Sequence, residues 1–184
     1  MSDFYSEFEL SNLGLRSYGN NVLVSKDTKI IDFSRLELGD NVRIDPYCIF
    51  TFGETGYIKI GSNVHVADKV RIVGAGGVEI MNFANIGIGS TILSCSDDYS
   101  GDFMMGPMAP SDSTNLNIKK IILAEYSVVA TQSVLFPGSD LGEGSVLGAM
   151  SLAHRPLKPW TVYFGIPAVP IKKRSKGMTK FKNV

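Results

Sequence analysis

Histidine is scarce in this chain: His65 and His154 are the only two in 184 residues. A zinc centre held by three histidines of one chain is therefore excluded unless other ligand types replace them. Cysteine is scarce too, and Cys48 and Cys95 are too few for a disulfide framework. Charge of neither sign is in excess, because 18 Lys and Arg balance 18 Asp and Glu. That removes the global basic field by which nucleic-acid binders attract a phosphate backbone. No apolar run approaches the ~20 residues of a membrane-spanning helix. The N-terminus also lacks the basic-then-apolar order of a secretory signal. The expectation is a reduced, cytoplasmic protein with no membrane span, no nucleic-acid partner and no metal.

What the chain does have is a period of six. Five units run without interruption from Leu123 to Leu152: Leu-Ala-Glu-Tyr-Ser-Val, Val-Ala-Thr-Gln-Ser-Val, Leu-Phe-Pro-Gly-Ser-Asp, Leu-Gly-Glu-Gly-Ser-Val and Leu-Gly-Ala-Met-Ser-Leu. Each opens on an aliphatic residue and places serine fifth (Ser127, Ser133, Ser139, Ser145, Ser151). Looser copies lie upstream, as in Leu38-Gly39-Asp40-Asn41-Val42-Arg43 and Ile60-Gly61-Ser62-Asn63-Val64-His65. This is neither a helical period nor a long alternating strand. It is the pattern of an all-β solenoid, in which each unit forms one short strand and one corner. Three units make a triangular coil, and stacked coils bury a core that none could bury alone. An antiparallel sandwich would have no reason to keep serine in five successive units. Length allows one domain of about six coils. Cys48 occupies a fifth position, where a small buried thiol is expected.

Three segments leave the repeat. Residues 1–20 are read as an N-terminal helical segment, with a helix over 2–13, a Ser6/Glu9 capping box and Gly14 to end it. Coils are expected over 21–94 and 119–152. Between them, 95–118 is an inserted loop without regular structure, of a length that is usually functional. Residues 153–184 form a tail through Gly165-Ile166-Pro167-Ala168 to the basic run Lys172-Lys173-Arg174. The run Gly74-Ala75-Gly76-Gly77 lacks a Gly-Lys-Ser/Thr ending and a following helix, so corner geometry explains it better than phosphate binding.

Hexapeptide units, one long loop and a Gly-x-Pro-Ala segment followed by basic residues together resemble the hexapeptide acyltransferases. The resemblance covers about residues 36–174 and implies a left-handed parallel β-helix. It also implies a homotrimer with active sites in clefts between neighbouring prisms. The Asp97-Asp98-Tyr99-Ser100-Gly101 loop is similar to that of sugar acyltransferases of surface-polysaccharide (O-antigen) synthesis. Nearest are those that N-acetylate nucleotide-linked 4-amino-4,6-dideoxyglucose. In such enzymes acetyl-coenzyme A lies along the C-terminal coils. The resemblance thus gives Ala130, Gly148, Ala149, Gly165, Pro167 and Ala168 a place beside the cofactor, and Lys172, Lys173 and Arg174 a place beside its phosphates. Repeat geometry and solvated charge are the plain alternatives for these residues.

Many O-acetylating relatives carry a histidine where this chain has Asp97. A hydroxyl nucleophile needs a base in the transition state, whereas an amine needs only to be neutral and aimed. A carboxylate is a weak base for an alcohol but can orient a sugar ammonium and take its proton. The substitution favours N-acylation, with Asp97, Asp98 and His65 as candidate proton acceptors and Tyr99 as a candidate sugar-site residue. His65 is placed at a corner, where it either faces the cleft as a base, with Asp97 or Asp98 supplied across the subunit interface, or is a surface histidine without catalytic duty. His154 is at most near the cofactor. Other classes are a sugar O-acetyltransferase acting on a glycan or glycoside, a carbonic anhydrase on a similar prism, and a non-catalytic solenoid scaffold.

Overall fold

A computed structural model describes residues 3–181 of the chain. The hexapeptide units wind a three-sided, left-handed parallel β-helix of about seven turns. The first face stacks Ser17–Tyr18, Leu36–Leu38, Ile58–Ile60, Val78–Ile80 and Ile121–Leu123. The second runs from Leu23–Val24 down to Val146–Leu147 and closes on an antiparallel hairpin, Thr161–Gly165 with Ala168–Lys173. The third runs from Lys29–Ile30 to Leu152–Ala153. Coils thus begin earlier and end later than 21–152. The extra first coil is legible only in its buried Val22, Val24 and Ile30, because its corner residues do not keep the six-residue phase.

Side-chain alternation explains the unit. The fifth and first positions point inward, and the sixth, between them, points out. Val64 and Val66 are accordingly buried on either side of a half-exposed His65. The corner occupies positions two to four, and the fourth residue takes a positive φ, as at Asn41 (54°), Asn63 (58°), Phe83 (61°) and Tyr126 (60°). Asparagine tolerates that conformation, and here it also forms a ladder: Asn21 donates to Asn41 (2.9 Å) and Asn41 to Asn63 (3.2 Å). Aromatic residues do not favour positive φ, but Phe83 and Tyr126 recover contact by stacking at 5.1 Å and 5°. Inside, Phe50, Ile72, Ile92 and Leu135 are fully buried, each contributing roughly 1.5–3 kcal/mol of transfer free energy.

The outer faces differ. The first carries charge: Glu37 pairs with Arg16 (3.3 Å) and Lys59 (3.2 Å), and Glu79 with Lys120 (2.8 Å). The third presents half-buried Ile49, Thr51, Val73, Leu93, Val134 and Leu152.

The N-terminal helix is shorter than expected, Glu7–Asn12, and residue 2 of the expected span lies outside the described residues. Its start is fixed by the capping box. Ser6 Oγ accepts from the Glu9 amide (3.3 Å), while Glu9 accepts from the Ser6 amide (2.8 Å). Lys26 also donates to Glu9 (2.7 Å), tying the helix to the first coil and pulling the Glu9 carboxyl down to about 2. Gly14 follows the helix at φ +75°.

At the edge between the second and third faces, fifth-position side chains donate to carbonyls of the next coil. Ser133 Oγ lies 2.7 Å from the Gly148 carbonyl. Ser133→Ala strands that buried acceptor and is expected to cost about 1–3 kcal/mol, read as a lower urea midpoint at unchanged m-value.

Candidate active site

The insertion at 95–118 leaves the coil stack intact, since Val78–Ile80 pairs directly with Ile121–Leu123. It is not structureless. Cys95–Asp97 and Leu116–Ile118 form an antiparallel ribbon, and Ser111–Ser113 make a 3-10 turn. The polar-apolar alternation of Leu116-Asn117-Ile118 is the signal that could have shown this. Facing partners share one side of a ribbon and consecutive residues alternate. Cys95, Asp97, Leu116 and Ile118 therefore line one side, and Ser96, Asn117, Asp98 and Asn115 the other.

Two hollows lie against the ribbon and share part of their walls. The polar one, about 520 Å³, takes in Asp98, Tyr99, Asn115, Asn117, Lys119 and Phe136. The smaller one, about 300 Å³, takes in Cys95, Gly106, Pro107, Thr114 and Leu116. Asp97 borders both. The two aspartates, neighbours in sequence, do different things. Asp98 Oδ1 accepts from the Ser100 amide (2.7 Å) and Oδ2 from Asn115 Nδ2 (2.7 Å). The Ser100 bonds, then that from Asn115, hold its carboxyl below its ordinary value. Asp97 Oδ1 accepts from the Gly106 amide (3.1 Å). Among the described residues, its second oxygen has no hydrogen-bond partner and is available to a ligand. Tyr99 is mostly exposed and meets Phe136 edge-on at 6.4 Å.

His65 is not at a corner. It sits mid-strand on the second face, because the sixth position of a unit points outward from the strand rather than round the bend. Its Nε2 bonds Asp45 Oδ2 at 2.7 Å, and Arg43 holds the other oxygen at 2.6 Å. Burial pushes the Asp45 carboxyl up, but the bonds from His65 and Arg43 outweigh it and leave it below its ordinary value. The two hollows that Asp97 borders do not include His65. His154 is exposed beyond the last strand of the third face.

Ala130 and Gly148 stack in adjacent coils at the edge between the second and third faces, where their amides donate to Leu147 and Tyr163. Exposed Ala149 follows Gly148. A side chain at Gly148 would overlap the Phe164 ring, so any larger residue there must displace that ring. Gly165-Ile166-Pro167-Ala168 is the tight turn of the closing hairpin, with a cis bond before Pro167. The Gly165 amide reaches back to Ser151 Oγ at 3.0 Å. Below it lies an apolar cleft of about 550 Å³ floored by Leu157, Tyr163 and Ala168, with Arg155, Lys158, Lys172 and Lys173 at its rim. Arg155 and Lys158 escaped the sequence reading, because they become neighbours of the basic run only when the hairpin folds back. Arg174 turns away from that cleft. Its guanidinium donates to the carbonyls of Tyr126 (2.8 Å) and Gly144 (3.0 Å), and burial pulls it below its ordinary value.

No protein-family profile matches the chain. It is 34% identical over 98% of its length to dTDP-4-amino-4,6-dideoxy-D-glucose acyltransferase of Escherichia coli, spanning 94% of that protein. It is 27% identical, over 73% of the chain and 67% of the relative, to the E. coli putative lipopolysaccharide biosynthesis O-acetyl transferase WbbJ. Structures of AntD, an N-acyltransferase from Bacillus cereus, superpose with a TM-score of 0.94 at 36% identity, covering 100% of this chain and 96% of that one. One holds dTDP-4-amino-4,6-dideoxyglucose with coenzyme A, another dTDP with 3-hydroxybutyryl-CoA. The coil, the ribbon and the closing hairpin thus define a left-handed β-helix acyltransferase. Within that class the chain belongs to the family of the dTDP-4-amino-4,6-dideoxy-D-glucose acyltransferase.

The Asp98 clasp has a pH signature. A carboxyl depressed in the folded loop stabilises it fully above its unfolded pKa and loses that contribution as pH falls through the lowered value. Amide exchange at Ser100, corrected for intrinsic rate, should accelerate below pH ~4. In Asp98→Ala it should be fast already at neutral pH.

Proposed function

We propose that this protein transfers the acyl group of an acyl-coenzyme A, acetyl-coenzyme A in the simplest case, to the amine of a nucleotide-linked amino-deoxy sugar. The product would serve O-antigen or other surface-polysaccharide synthesis, made in the cytoplasm by a homotrimer. The observation that carries the reading is Asp97, a carboxylate with an uncommitted oxygen at the junction of two hollows. The family membership and the ligands seen in AntD support the substrate classes. The largely apolar outer third face, interrupted by exposed Lys29 and Arg71 and lying beside a charged first face, supports assembly with further copies.

In this reading the polar hollow takes the sugar, with Tyr99 against it and Lys119 near its phosphates. Asp97 holds the sugar ammonium, accepts its proton and leaves a neutral amine aimed at the thioester. The nitrogen forms the new C–N bond, the C–S bond breaks, and the second proton lost by the attacking nitrogen passes to the departing sulfur, giving the amide and the free thiol. Ala130, Gly148 and Ala149 let the pantetheine arm approach the backbone along one edge. Pro167 and Ala168 flank it below, and Lys172 and Lys173 pair with its phosphates. Arg174 contributes indirectly, by fixing the corner from which the tail departs.

A second reading has one specific observation behind it. The His65–Asp45 pair is a histidine oriented by a carboxylate, the arrangement that activates a hydroxyl. With the neighbour's ribbon beside it, it could serve O-acylation instead.

Asp97→Asn should lower kcat by about 10²–10⁴ at unchanged affinity for coenzyme A. His65→Ala should leave N-acylation near wild type. Acyl-coenzyme A consumption across nucleotide-linked amino sugars and their hydroxyl counterparts checks both, with assembly monitored by light scattering. Turnover of hydroxyl substrates lost in His65→Ala would put the second reading first.

A further inference from the structure

We propose that the apolar hollow on the Cys95 side of the ribbon receives the acyl chain of the donor, and that Leu116 and Cys95 set the chain length accepted. The inference rests on the reading of Asp97 as proton acceptor. If the amine gives its proton to Asp97, the thioester carbonyl it attacks lies within bonding reach of that amine, and the acyl substituent emerges beside Asp97. Two hollows open there, and they differ in chemistry. The one lined by Asp98, Asn115, Asn117 and Lys119 suits a hydroxylated, phosphorylated acceptor. The other, with Cys95, Pro107 and Leu116 in its wall, exposes mostly carbon surface, with Ser96, Asp97 and Thr114 as its polar groups. Its wall is built rather than incidental. The Gly106 amide anchors to Asp97 Oδ1, and Thr114 Oγ1 commits its proton to the Ser111 carbonyl (3.2 Å).

Its size argues beyond acetyl. About 300 Å³ is far more than one methyl group fills, so an acetyl donor would leave the space to water. A chain of four carbons would displace that water from Leu116 and Pro107, which favours the longer donor. The crystallised complex of AntD with 3-hydroxybutyryl-CoA shows a donor of this length in a family member.

The test is a selectivity ratio. For the full-length protein, kcat/KM is measured with butyryl-CoA and with acetyl-CoA on one nucleotide-linked amino sugar. Leu116→Trp should lower the butyryl-to-acetyl ratio about tenfold or more, the scale on which a pocket discriminates methylenes. Leu116→Ala should raise the ratio for hexanoyl-CoA over acetyl-CoA. Ratios unchanged in both variants would overturn the proposal. A second measurement needs no turnover. Cys95 lines the hollow, whereas Cys48 is buried and its thiol pushed up to about 12 by that burial. Alkylation of Cys95 by iodoacetamide, with Cys48 as the internal control, should be slowed more by butyryl-CoA than by acetyl-CoA or coenzyme A. Equal protection by all three, or none by any, refutes the assignment. Absence of acyl transfer from every donor would remove the proposed enzyme reaction, while the alkylation result still decides what the hollow binds.

Discussion

One hydrogen bond, repeated from coil to coil, holds the edge on which the candidate site is built. A triangular coil turns its backbone sharply at each corner, so a carbonyl there cannot join the strand ladder, and burial makes an unpaired one costly. At the edge between the second and third faces the fifth residue of one coil donates to the second residue of the next. Thr28 reaches Asp45 (2.9 Å), Cys48 reaches Ala67 (3.1 Å), Ser90 reaches Ala130 (2.9 Å) and Ser133 reaches Gly148 (2.7 Å). The receiving residues Ala67, Ala130 and Gly148 are small, which keeps that edge narrow. The same bond therefore explains the hydroxyl inside and the smooth track outside. Cys48 serves as a serine with a longer reach, Val70 forgoes the bond and packs instead, and Ser151, at the end of the column, donates to Ala149 in its own corner (3.3 Å).

The five identical serine positions show how much of this was legible. Period and phase followed from the sequence because every unit must bury its first residue. The equivalence did not extend to chemistry. Ser133 donates across coils, Ser139 donates to Phe136 in its own corner (2.6 Å), and Ser127 and Ser145 have buried hydroxyls without a partner among the described residues. Which edge a serine occupies depends on counting units by threes from a fixed origin. The loop, entering at 95, obscures that origin in sequence. The misplacement of His65 has a related cause. With the first and fifth positions inside, the sixth lies mid-strand between them and points out, as His65 does between buried Val64 and Val66; reading it as a corner misplaced the bend.

The site was legible where it follows from residue type and illegible where it follows from folding back. A carboxylate at 97 in place of a histidine is visible in a string of letters. That Asp97 and Asp98 point to opposite sides of a ribbon is not, because the pairing of Cys95–Asp97 with Leu116–Ile118 joins residues across the whole insertion. The ribbon can lengthen or shorten without touching the coils, since the strands at Val78 and Ile121 close beneath it. Change in the loop is thereby separated from stability: the coils carry the buried core, and the loop carries the candidate Asp97.

The tail makes the same separation within a single run of three cations. Lys172 and Lys173 rim the cleft, whereas Arg174 is drawn into the body of the protein by two corner carbonyls. A guanidinium suits that place because its planar fork can satisfy two acceptors at once. Those acceptors belong to Tyr126 and Gly144, consecutive steps of the column that ends in Trp160, and Lys176 lies over the Trp160 ring at 5.3 Å. The aromatic corner column thus acts as the post to which the tail is tied. Arg174 can hold the hairpin against the prism only by being unavailable to phosphate, so the cationic rim must be completed from elsewhere. Arg155 and Lys158, brought beside Lys172 and Lys173 by the fold of the last coil, complete it.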